Sequence, residues 1–260
     1  MSTLPLAAKV YNPIQLEWLQ KYISRKILKG LKIKIENIQA NKNGWVQLDI
    51  SGEDVKAAKN FLNVKIGLRP TNLNLIKKFS TLNGYIKTTN KNKVQVDVGI
   101  EKPYTIDAVI PLNQLQAQLT DGRKLALQKI VELYGLCQNM PLTLKIQSFN
   151  QKKGFLEASL TEKQLNLYKK WTKTILDKLI IIGATTNEVK QAIKKAKCTR
   201  DIIEIETLKL FEHAATCKLG TDAAGIIPKI GKHLKNANLT TFIPQKILNL
   251  LGTAILINEN

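Results

Sequence analysis

Lysine is the residue type that could do chemistry in quantity here. Forty basic residues face 20 acidic ones in 260 residues, a formal charge of +20, and only Arg25, Arg69, Arg123 and Arg200 are arginine. An ammonium is a point charge that attracts phosphate diffusely, where a guanidinium offers a bidentate fork. Such an excess concentrates polyanions, and nucleic-acid backbones are the commonest of these. The spacing selects candidate phosphate contacts. Lys32 and Lys34 alternate with isoleucines on one strand face, and Lys87, Lys91 and Lys93 flank a strand turn. Lys152 and Lys153 sit in a hairpin turn, and Lys190 and Lys194 are one helical turn apart. Tyr85, two residues before Lys87, is the candidate stacking ring. A competing account exists for every one of these lysines. Charge runs usually form a solvated face, and abundant Lys, Asn and Ile are also the drift of an A/T-rich genome.

Other chemistry finds little support. Cys137, Cys198 and Cys217 are widely spaced without a CxxC, and His213 and His233 lie outside ligand spacing. No metal site is expected, and the thiols read as buried and reduced. His213 and Cys217 are four apart, which puts them on one face of a strand, the only arrangement suggesting a thiol nucleophile. Gly220 to Gly231 is glycine-rich, and such runs can cradle phosphate at a helix start. It lacks the Gly-Lys-Ser/Thr of a Walker A loop and is not GxGxxG, so a structural turn is the favoured reading. No catalytic residue and no cofactor are predicted. Met1 to Tyr11 has no basic region followed by a long apolar one, and the tightest apolar run, Leu179 to Ile182, is far too short to span a bilayer. A cytoplasmic location without membrane partners is expected.

The elements that must position these residues fall into three segments. Residues 1–78 read β-α-β-β-α. A strand over Leu6 to Tyr11 precedes a helix capped by Asn12-Pro13-Ile14-Gln15. Strands follow at Leu31 to Ile35 and Trp45 to Ile50, then a helix after Ser51-Gly52-Glu53-Asp54. Val64 to Ile66 is a candidate edge strand, and Gly67 to Asn72 a linker. This is a ferredoxin-like split βαβ pattern. Residues 79–160 carry five short alternating apolar runs, the count of an OB barrel, with a two-helix insert at 113–139 broken at Asp121-Gly122. Residues 161–260 begin with a basic helix capped by Thr161-Glu162-Lys163-Gln164. A second split βαβ set follows, in which Pro228 begins a second helical piece and Ala254 to Ile257 is the final strand. The basic excess is uneven: 14 against 5 acidic residues over 1–78, but 10 against 6 over 79–160.

Gly84-x-Ile86, Val96-Asp97-Val98-Gly99 and Ala108-Val109-Ile110-Pro111-Leu112-Asn113-Gln114-Leu115 together resemble the OB repeat of the ribosomal protein S-one family. That resemblance implies single-stranded RNA on the barrel face, with aromatics on the second and third strands. The matching positions here are Asn92, Gln95 and Pro111, so Tyr85 is the ring left near that face. The run His213 to Pro228, with Ala7-Ala8-Lys9-Val10-Tyr11 and Gly52-Glu53-Asp54, is similar to an uncharacterised archaeal family, a domain of unknown function, and implies no activity.

The fold class expected is therefore α+β: three small domains, a central five-stranded OB barrel flanked by two ferredoxin-like split βαβ domains. The expected role is RNA binding through lysine–phosphate contacts, on ribosomal or transfer RNA or in translation. The alternative is a protein-interaction module that docks on the ribosome or RNA polymerase, its charge serving solubility.

Overall fold

The computed structural model describes residues 1–102, 104–150 and 154–252. The chain forms two compact units: Met1–Ile76 with Gly99–Thr105, and Lys77–Val98 with Ile106–Asn260.

The first unit contains β1 (Ser2–Lys9), α1 (Pro13–Tyr22), β2 (Ile33–Ala40), β3 (Trp45–Gly52) and α2 (Val55–Lys65). Its antiparallel sheet runs β1-β3-β2. β3 is central because Trp45, Val46, Leu48 and Ile50 are its apolar load, and all four are buried. Asn12 caps α1 by accepting from the Gln15 amide at 2.9 Å, and Gln15 in turn accepts from the Tyr11 amide at 2.8 Å. Asp54 precedes α2, but its carboxylate accepts from the Lys32 amide at 2.8 Å and so ties the helix start to the β2 side. The expected edge strand at Val64 to Ile66 does not form. Its residues continue α2 to Lys65, and buried Ile66 closes the helix.

The second unit opens with β4 (Thr81–Asn90), β5 (Lys93–Ile100), β6 (Ile106–Pro111), α3 (Leu112–Leu119), α4 (Leu127–Tyr134), β7 (Pro141–Asn150) and β8 (Phe155–Leu160). The strands close into a barrel in the order β4-β5-β6-β8-β7, with β6 and β8 parallel. Five strands in that order are the OB topology. Gly84 is required by packing: a Cβ there would lie 2.6 Å from Val96 Cγ1 and 2.9 Å from the Asp97 carbonyl oxygen. The insert between β6 and β7 folds as two helices broken at Asp121-Gly122, both with positive φ. α4 packs against β4.

The same unit continues with α5 (Glu162–Lys173), β9 (Lys178–Ile182), α6 (Thr186–Lys195), β10 (Ile202–Lys209), β11 (Glu212–Cys217), α7 (Ala223–Gly231), β12 (Asn238–Phe242) and α8 (Pro244–Leu251). The antiparallel sheet runs β10-β11-β9-β12, the strand order of a split βαβ fold. Two expectations change. The fourth strand is Asn238–Phe242, ahead of α8, and the run expected as the final strand, Ala254 to Ile257, lies outside the described residues. Pro228 sits inside one helix and does not begin a new one.

One face of this sheet is closed by α6 and α7 through Leu179, Ile181, Val189, Ile193, Ala215, Cys217, Ile226 and Ile230. The opposite side meets the barrel's helices through rings. Tyr134 of α4, Tyr168 and Trp171 of α5 and Phe242 of β12 form one cluster, with centroids 5.2 to 6.1 Å apart. Barrel and four-stranded sheet thus share a core.

Candidate nucleic-acid interface

The lysines chosen from spacing are dispersed, and several have acidic company. Lys32 pairs with Glu53 at 2.8 Å and Lys34 with Glu36 at 2.9 Å, both ammonium-bearing chains well exposed. Lys87 pairs with Asp107 at 2.7 Å. Lys91 is exposed in the β4–β5 turn, and Lys93 is half-buried at the start of β5. Lys190 and Lys194 are exposed on α6 beside an open apolar groove lined by Ile193, Ile202, Ile203 and Ile205. Lys152 and Lys153 lie outside the described residues.

Tyr85 is not where a stacking ring must be. It is only 1% exposed. At this point β4 is flanked on both sides, with Asp97 and Pro141 as register partners, and α4 packs against the same strand. The long insert between β6 and β7 thus returns to β4 through α4.

Sequence spacing missed a ring that is available. Phe79, just before β4, is 57% exposed. Two ammonium groups approach it, Lys78 Nζ at 4.9 Å and Lys145 Nζ at 5.6 Å from the ring centroid. Its backbone is left-handed, with φ of 67°, a conformation costly for a bulky residue. The Phe79 amide donates to the Ile146 carbonyl at 2.8 Å, which holds the turn against β7. The available signal was the run Lys77-Lys78-Phe79-Ser80, a basic pair followed by an aromatic.

From Phe79 the β4–β7 ladder leads into a cleft. Thr81 pairs with Lys145 and Asn83 with Thr143 in its register. Thr81, Asn83 and Thr143 form one wall of the cleft, about 560 Å³ in volume. Lys163, Gln164, Asn166 and Lys170 of α5, with Glu206 and Lys209 of β10, form the other. Gln164 stitches the walls together by accepting from the Thr143 amide at 3.1 Å. Glu206 is shared: one oxygen accepts from Trp171 Nε1 at 2.9 Å, and the other faces Lys170 at 3.7 Å. Burial, reinforced by the charge of Lys163, pulls the Lys209 ammonium below the usual lysine range, against the pull of Glu212. Two like charges held close in a recess create positive potential that an anion relieves.

The thiol and glycine candidates are structural. Cys217 is buried, and burial pushes its thiol up to about 11. The His213 ring is buried with Nε2 2.9 Å from the Ala184 carbonyl oxygen, and burial lowers its pKa. A thiol held protonated at neutral pH is not the activated nucleophile that such chemistry needs. At the glycine run, Asp222 accepts from the Ala224 and Gly225 amides at 2.9 and 3.0 Å. The donors that would take a phosphate are occupied by the chain's own carboxylate. Among the described residues no cluster of three or more His, Cys, Asp or Glu could hold a metal ion.

Three family models match in succession: the DUF2110 N-terminal domain over residues 3–68, the central domain over 77–172 and the C-terminal domain over 176–242. The chain belongs to the DUF2110 family. The DUF2110 central match runs through α5, so that helix travels with the barrel. No curated protein matches the chain. Similar solved structures include an a/eIF2alpha–aDim2p–rRNA complex from Pyrococcus horikoshii OT3, at 11% identity and TM-score 0.27, covering 71% of this chain and 98% of that one. They also include the intact alpha subunit of aIF2 from Pyrococcus abyssi, at 9% identity and TM-score 0.26, covering 64% and 97%. A third is an exosome complex RNA-binding protein, at 11% identity and TM-score 0.24, covering 70% and 97%. Likeness at this level carries no argument about what the DUF2110 chain does. No helix among the described residues is long and apolar enough to cross a membrane.

Proposed function

We propose that the protein is a cytoplasmic RNA-binding protein acting on ribosomal or transfer RNA or in translation, gripping its partner mainly through lysine–phosphate contacts. The observation that carries this reading is the charge: +20 over 260 residues, almost all of the positive part lysine. The barrel supports it as an OB-type scaffold similar to the ribosomal protein S-one kind, a shape that tracks single strands. Lys91, Lys190 and Lys194 stand exposed as candidate contacts, with Lys163 and Lys170 at the cleft.

The test is filter binding of structured RNA at two salt concentrations. Each phosphate neutralised steepens the dependence of log affinity on log salt by about 0.7 to 0.9. Six contacts lower affinity by roughly three-hundredfold to two-thousandfold between 50 and 200 mM salt. Absence of binding at the lower concentration overturns the proposal. A second reading, docking on the ribosome or RNA polymerase through protein contacts, draws on the carboxylate partners of Lys32, Lys34 and Lys87. A pull-down that survives nuclease treatment, with no direct RNA binding, selects it.

A further inference from the structure

We infer that Phe79 and the cleft beside it form a subsite for a single-stranded stretch of RNA, with one base stacked on the Phe79 ring and the adjoining phosphates led along Lys145 towards Lys163, Lys170 and Lys209. The inference rests on the RNA-binding reading and says where a single strand sits. It places the strand on the β4–β7 side of the barrel, not on β5 and β6, where the S-one resemblance would put the rings.

Three independent features coincide there. The first is the ring. Phe79 is more than half exposed, so part of its ring is open to a partner. A base can cover it, since every base has a π-face. The second is the pair of ammonium groups at 4.9 and 5.6 Å from that ring. An exposed cation–π contact is weaker than base stacking. A base arriving on the ring displaces an ammonium from its face, and that ammonium then meets the phosphate attached to the same nucleotide. The third is the left-handed φ of 67° at Phe79. A bulky residue persists there only when its surroundings hold it, and such positions gather at binding sites. The hydrogen bond that the Phe79 N–H donates to the Ile146 carbonyl oxygen is the part of the surroundings that does so.

The cleft continues the path. Thr81, two residues after Phe79, is both the register partner of Lys145 and a wall of the cleft. Its far wall presents the Lys163, Lys170 and Lys209 ammonium groups, with Glu206 engaged by Trp171 and Lys170. Hydroxyl and amide groups of Thr81, Asn83 and Thr143 line the near wall. Met140, Pro141, Leu142, Leu167 and Leu208 also line the recess and give a base apolar surface to lie on, while the lysines beside them suit its phosphates.

The test uses the full-length chain and two fluorescein-labelled probes, a uridine 12-mer and an RNA duplex of the same length. Phe79→Ala should weaken binding of the uridine strand by about tenfold or more, the scale of one lost stack. Binding of the duplex should change less than twofold. Phe79→Trp should keep the affinity, and Lys145→Gln should lower the salt slope by about 0.7, one phosphate's share on a single strand. Phe79→Gly, which relieves the left-handed backbone, controls for folding: it should be as stable as the parent and bind as poorly as the alanine variant. If the parent binds neither probe, both this subsite and the RNA reading fall. If the parent binds and Phe79→Ala binds equally well, or loses strand and duplex alike, the subsite falls while the RNA reading stands.

Discussion

Replacing Trp171 should show that the barrel and the four-stranded sheet are one folding unit. Trp171 is fully buried, 5.2 Å from the Phe242 centroid and 5.9 Å from that of Tyr168, in edge-on geometry. Its indole N–H donates to Glu206, and the buried Lys178 ammonium lies 5.6 Å from its ring. Removing a buried tryptophan to alanine costs about 3–5 kcal/mol through lost transfer energy and the cavity left behind. The upper part of that range is expected, because two ring pairs are lost and Lys178 loses its aromatic neighbour while remaining in a site whose burial already lowers its pKa. Trp171→Phe keeps most of the ring packing and loses the N–H. Glu206 is about a quarter exposed and can recover a partner from water, so this variant should lose only about 1–2 kcal/mol. Against a total of about 5–15 kcal/mol, the alanine change removes a third or more of the unit's stability. Urea unfolding followed by far-ultraviolet circular dichroism measures both. A single shifted transition for barrel and sheet together is expected. A loss below about 1.5 kcal/mol for Trp171→Ala would refute the shared core. So would a sheet that melts first and leaves the barrel transition in place.

Two further outcomes follow from named groups. Burial lowers the pKa of His213 below its unfolded value near 6.5, so its contribution is complete above about pH 6.5 and is lost as pH falls towards the folded value, where the unfolded chain takes a proton the native ring refuses. The urea midpoint should drop from pH 7.5 to pH 5.5, and the drop should shrink in His213→Gln; equal pH dependence in the two proteins would count against the buried neutral ring. Gly84→Ala should destabilise the barrel by about 1–3 kcal/mol, since its Cβ would lie 2.6 Å from Val96 and 2.9 Å from a backbone oxygen that cannot swing away; an unchanged thermal midpoint would mean that β4 and β5 separate more easily than their spacing indicates.

Local patterns were legible wherever local chemistry decides structure. The Asn12-Pro13 start, the Thr161 cap and the Asp121-Gly122 break are each satisfied by groups within a few residues, and each is found. What sequence could not show depended on distant neighbours. Val64 to Ile66 reads as a strand by composition, yet α2 runs on to Lys65, and it is the next residues, Gly67 to Arg69, that bond to the edge of β1. Asn238–Phe242 was passed over because Asn and two threonines dilute its apolar signal, yet β9 supplies a partner along its whole length. Strand alternation places the Tyr85 ring near the barrel face and does not reveal that α4, some forty residues later, returns to the same strand. Phe79 escaped for the opposite reason. It precedes the strand, outside any period, and its two ammonium neighbours come from positions 67 residues apart.

The shared core bears directly on the cleft. Its near wall is barrel and its far wall is α5 and β10, which lie in different family domains. The rings of α4, α5 and β12, with the Gln164 bond to β7, fix the distance between those walls. A cleft fixed in this way holds its lysines in place before a ligand arrives, so less side-chain ordering remains to oppose binding. It also cannot widen cheaply. At about 560 Å³ it falls among pockets that take molecules of drug size, of the order of 300–1,000 Å³. That is room for a nucleotide or two and too little for a duplex. The proposed preference for a single strand would then rest on the packing of the core as well as on the Phe79 ring, and a variant that loosens the core without touching a lysine should lose that preference before it loses its affinity for phosphate.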